Sequence, residues 1–63
     1  MNRLREVRKT RGLTQYNLAK LAGTYQTRVW QWEHSHYIPR KSQKEALAIA
    51  LKTTLTDIFP DEQ

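Results

Sequence analysis

The stretch that most constrains this chain runs from Leu13 to Glu33, with Gly23 near its middle. Leu13 and Leu18 are spaced as a hydrophobic staple around Thr14, a good N-cap residue. Leu18, Ala19 and Ala22 then recur at helical spacing on one face. Gly23 suits the left-handed conformation that ends a helix. Beyond it, Val29, Trp32 and Glu33 share one face of a second helix. Thr27, Gln31 and His34 point the opposite way, with Arg28 and Trp30 on the flanks. One side of that helix is made for a core and the other carries hydrogen-bonding groups. With Ala19 small enough for close helix approach, the pair reads as a helix-turn-helix.

At these residues the chain resembles the Cro/C1-type, or xenobiotic-response-element, family of helix-turn-helix regulators, which includes phage repressors. The family pattern is met by Leu13, Thr14, Gln15, Leu18, Ala19, Gly23, Gln26, Val29, Trp32 and Glu33, and the resemblance extends from Leu4 to Phe59. It departs at Tyr25, where the family has Ser or Thr as the cap of the second motif helix; Thr24 is the alternative cap. The resemblance implies an all-α, compact five-helix, lambda-repressor-like DNA-binding domain over residues 1–60. An acidic tail, 61–63, is expected to fray.

The totals fit that reading. Sixty-three residues make one domain at most. A chain of this size buries only about 60% of its unfolded surface, so its stability should be modest. Without cysteine there is no disulfide and no thiolate metal site. His34 and His36, two residues apart, do not share a helix face and have no companion ligand, so no metal and no other cofactor is expected. No apolar run approaches a membrane span and no signal peptide is visible, which gives a cytoplasmic, nucleoid-associated expectation and no membrane partner. The net charge of +5 is unevenly placed: residues 1–44 carry ten Lys/Arg against Glu6 and Glu33 (+8), whereas residues 45–63 carry Lys52 against four acids (−3). A basic front and an acidic back suggest one polyanion-binding face.

In chain order, Asn2 is the expected cap of a first helix whose apolar stripe is Leu4 and Val7, closed by Arg11-Gly12. Arg3, Arg5, Lys9 and Arg11 are expected on its surface, one or two of them near phosphates. By the family resemblance, Arg8 pairs with Glu33, a tie that a buried carboxylate would need. After Glu33, Pro39 prevents a continuous helix. Tyr37 and Ile38 are expected to anchor that loop, and Arg40 and Lys41 to leave it as a cationic corner. Ser42 to Glu45 has the form of a capping box at the start of a fourth helix with core residues Ala46, Leu47, Ala50 and Leu51. Thr54 caps a last short helix anchored by Leu55, Ile58 and Phe59 and stopped by Pro60. Leu21 and Ile49 fall off their helices' apolar faces, and Ile49 is a candidate partner surface.

The major groove of B-DNA admits a helix and shows a distinct donor and acceptor pattern for each base pair. Its expected readers are Gln26, Thr27, Arg28 and Gln31, at positions that the family uses for base or backbone contact. Gln15, Arg3, Trp30, His34, Arg40 and Lys41 are the expected backbone contacts. Gln15 can also hydrogen-bond Gln26. Trp32 belongs to the core by its spacing from Val29. Trp30 has three open fates: packing back over Ala22 or Lys20, meeting the DNA wall, or simple exposure. Enzyme chemistry finds no support. Ser35 lies between His34 and His36, but neighbours in sequence cannot easily align a nucleophile with its base, and there is no phosphate-binding loop. The reading is therefore sequence-specific binding of double-stranded DNA by a transcriptional regulator. By resemblance it is a repressor that forms a weak homodimer on a palindromic operator. The alternative is a protein-interaction module such as the antitoxin of a toxin–antitoxin pair. The few residues after Pro60 offer little to cover a toxin.

Overall fold

A computed structural model describes residues 2–60; the expected fraying of 61–63 lies outside the described residues. Five helices follow one another: α1 Leu4–Thr10, α2 Gln15–Ala22, α3 Gln26–Glu33, α4 Lys41–Leu51 and α5 Leu55–Ile58. Among the described residues there is no strand. The closest packing is of α2 on α4 and of α2 on α3, while α1 bridges α3 and α5. Leu4, Leu18, Val29, Leu47, Leu51 and Ile58 are the largest fully buried side chains, so every helix sends at least one residue to a single core. Trp32 and Phe59 close it.

Local chemistry accounts for the boundaries. The Thr14 hydroxyl accepts from the Asn17 N–H at 3.0 Å and starts α2, and Thr54 does the same for α5 from Asp57 at 3.2 Å. Asn2 accepts from the Leu4 N–H at 3.0 Å and donates to the Trp32 carbonyl at 2.9 Å, tying the start of α1 to the end of α3, but the cap position expected for it falls one residue later, on Arg3. Helices α1 to α4 end in one way: a residue with positive φ turns the chain, and its own amide and the next one bond back into the last turn. After α2 these bonds run from Gly23 to the Lys20 carbonyl and from Thr24 to the Ala19 carbonyl. The turning residues are Gly12 and Gly23, then Ser35 (φ 58°) and Lys52 (φ 55°), which occupy the left-handed region without glycine's freedom.

Three further expectations are corrected. Helix α4 begins at Lys41, ahead of the Ser42 to Glu45 box, because Arg40 leaves Pro39 extended and becomes the N-cap. Gln43 then falls at the third helical position, where its side-chain oxygen accepts from the Arg40 N–H at 2.7 Å. On α4, Ala48 is buried with Leu47 and Leu51, whereas Ala46 and Ala50 lie half-buried at the margin. Tyr37 and Ile38 do not anchor the loop: they are 62% and 77% exposed, and Pro39 is the loop residue that is buried.

Candidate nucleic-acid interface

Helix α3 presents its inner face through Val29, Trp32 and Glu33. The Glu33 side chain is 1% exposed and the Arg8 side chain 9%. Arg8 Nε lies 2.5 Å from Glu33 Oε2 and its Nη2 3.4 Å from Oε1, while Nη1 donates to the Leu13 carbonyl at 2.8 Å. Gln15 Nε2 donates to Glu33 Oε1 at 3.0 Å. A carboxylate removed from water needs donors, and α1, the turn after it and the start of α2 all contribute to supplying or orienting them. The Gln15 amide, which could have bonded Gln26, turns inward to Glu33.

Gln26, Thr27 and Arg28 are exposed on the outer side, and Gln31 is half-buried. The cap of α3 is Tyr25, in extended conformation and without a side-chain bond to the helix. Thr24 is not the cap, because α3 begins at Gln26 and the cap position falls on Tyr25. Arg28, Gln31 and Arg40 come together along one open cleft of about 300 Å³, floored by Trp32 and Gln43 and edged by Tyr37 and Ile38. Lys41 follows Arg40 as the first residue of α4.

Other cations are drawn elsewhere. Arg3 pairs with Glu6 at 2.9 Å and lines a different depression with Asn2, Arg5 and Lys9. The Glu6 hydrogen bond and charge, with Asp57 as a lesser attraction, raise its already high pKa. Arg3 thus stands apart from the cleft, in an exposed pair that can open. Arg11 Nε donates to the Leu51 carbonyl at 2.6 Å, placing a cation at the C-terminal end of α4, where the helix dipole favours it. Lys44 Nζ sits 5.2 Å from the centre of the Phe59 ring.

Trp30 makes a contact that the sequence reading did not include. It is 43% exposed, and its ring stacks on His34 at 4.0 Å and on His36 at 5.4 Å between centroids. His34 Nδ1 is also 2.8 Å from the Trp30 carbonyl oxygen. The two imidazoles that sequence spacing separates are reunited because Ser35 turns the chain between them. Sequence reasoning missed this ladder; a positive φ at a serine leaves no compositional signal. Among the described residues, no group of three or more His, Cys, Asp or Glu side chains is placed to hold a metal.

The family model described as Helix-turn-helix matches residues 4–58, nearly all of the described chain. The chain belongs to this helix-turn-helix family. It is of the Cro/C1 type, and its class of activity is DNA-binding regulation of transcription. In this helix-turn-helix protein α2 and α3 are the motif helices. The family is typically non-enzymatic. No curated protein and no solved structure matches the chain. Among the described residues, no helix is long and apolar enough to cross a membrane.

Proposed function

We propose that this helix-turn-helix protein is a repressor that occupies a palindromic operator as a dimer formed on the DNA. The observation that carries the reading is the cleft that joins Arg28 and Gln31 of the recognition helix to Arg40, with no carboxylate in its lining. Gln26, Thr27, Arg28 and Gln31 read base edges: glutamine suits adenine, arginine suits guanine, and threonine can bond a base or touch a thymine methyl. Arg40, Lys41, Trp30 and His34 meet the sugar-phosphate walls. Gln15 reaches a phosphate through its backbone amide or second side-chain hydrogen, and Arg3 contributes only when its pair with Glu6 opens. Occupying a promoter is the simplest way for such a module to regulate, and it acts in the cytoplasm, at the nucleoid.

A single domain of this size covers few base pairs, so useful specificity calls for two copies with half-sites one helical turn apart. Exposed Leu21 and Ile49 flank a depression floored by Leu13 and Ala50, and this surface together with the α4–α5 corner, Lys52 to Thr56, is the contact between copies. It is small, so the free protein is monomeric at micromolar concentration. Selection from random duplex DNA, followed by titration over a range of salt, tests the whole reading. The enriched site should be two-fold symmetric, and log affinity should fall with log salt by about 0.9 per phosphate neutralised. An asymmetric site would remove the dimer, and a slope near zero would remove DNA.

A further inference from the structure

We propose that Ile38, supported by Tyr37, reads a thymine methyl group at the edge of the bases covered by Arg28 and Gln31. The inference rests on the DNA-binding reading above. Lone exposed apolar side chains are ordinary on protein surfaces. This pair differs in three respects. The two residues are adjacent and both largely exposed, at the tip of the loop that follows the recognition helix. They line the same cleft as Arg28, Gln31 and Arg40. They are also held outward by the chain: Pro39 behind them is buried, and a residue before proline is restricted to extended conformations. A cleft lined by an apolar pair and two arginines, with no carboxylate, is unsuited to a purely apolar peptide. It suits a ligand that presents phosphates and a hydrocarbon group together. In the major groove that group is the thymine 5-methyl, the only apolar feature displayed there by a base pair.

Exchanging thymine for uracil deletes that methyl and nothing else. With the selected operator in hand, each thymine is replaced singly by uracil, and binding is measured for the unsubstituted protein, Ile38→Ala and Ile38→Val. At one position per half-site, uracil should weaken the unsubstituted protein about fourfold, the effect of burying one methyl-sized group. Ile38→Ala should bind the thymine and uracil duplexes equally, and Ile38→Val should keep part of the difference. Circular dichroism of each free variant should be unchanged, since the side chain is solvent-facing. The proposal is overturned if no uracil position weakens binding, or if Ile38→Ala loses as much as the unsubstituted protein at every position. It is also overturned if Ile38→Ala alters only self-association, measured by sedimentation, which would make the ledge a protein contact. Failure of every duplex to bind with a salt-dependent affinity would bring down the DNA reading as well, and salt-dependent binding without methyl dependence would bring down this inference alone.

Discussion

Replacing Arg8 by Met should cost about 3–5 kcal/mol, because it removes the charge and keeps most of the stem while leaving the Glu33 carboxylate buried without its cation. The Gln15 amide remains, but a single neutral donor does not replace a guanidinium. The Leu13 carbonyl also loses its partner. A domain of this length has a total stability of about 3–9 kcal/mol at the usual value per residue, so the variant keeps little of it. At about 4–8 °C per kcal/mol, the midpoint should fall by at least about 12 °C. The assay is thermal and urea unfolding followed by far-ultraviolet circular dichroism, without DNA. Arg8→Met/Glu33→Leu completes the test: with both charges gone, it should be more stable than Arg8→Met alone, though the Leu13 carbonyl still lacks its donor. A loss below about 1 kcal/mol for Arg8→Met would show that water reaches the pair and that its burial does not matter. A double variant as unstable as the sum of the singles would show that the residues do not interact.

Tyr25→Ser should stabilise the free protein by about 1 kcal/mol, by supplying the cap that α3 lacks, and an unchanged urea midpoint would count against an uncapped helix. Lys52→Gly should raise stability by up to about 1 kcal/mol, since Lys52 holds φ at 55° and glycine takes that conformation without strain; destabilisation would contradict it. On the selected operator, Gln31→Ala should lose about 1–3 kcal/mol and flatten preference at one or two positions, whereas Lys41→Ala should weaken good and poor sites alike; uniform losses in both would refute the assignment of Gln31 as a reader. In a Trp32→Phe background, Trp30 should emit at long wavelength and change on adding operator. Emission at short wavelength, indifferent to DNA, would place the indole inside.

What was legible in the sequence is what one helical turn decides. Thr14, Gly23 and Thr54 mark their boundaries because each satisfies or turns the backbone beside it. Val29 and Trp32 declare the inner face of α3 by spacing alone. The misreadings lie where two local rules compete or where a partner is distant. Ser42 to Glu45 looked like a helix start, but Pro39 had already set Arg40 extended, and the cap moved upstream. Tyr37 and Ile38 looked like an anchor because they are apolar, yet a loop whose buried member is Pro39 leaves them outside. The bond from Arg11 to the Leu51 carbonyl crosses 40 positions, and no pattern within a helix could announce it.

Helix α3 is only eight residues long and buries just two apolar side chains, Val29 and Trp32. A helix so short is not stable by itself, and hydrophobic contact fixes its position loosely about its own axis. Directional bonds supply the rest, and they gather at its C-terminal end. Glu33 is held by Arg8 and Gln15, the Trp32 carbonyl accepts from Asn2, and the Ser35 and His36 amides close the last turn. No side chain caps the N-terminal end, where Gln26 and Thr27 stand. The polar ties therefore help to set the rotation of the helix and so which side chains it turns outward, while its first turn has no side-chain cap. Buried polar groups in so small a core are costly for stability, and we propose that here they serve to define orientation. That is why Arg8, which touches no outward-facing reader, should be as necessary to sequence preference as the readers themselves.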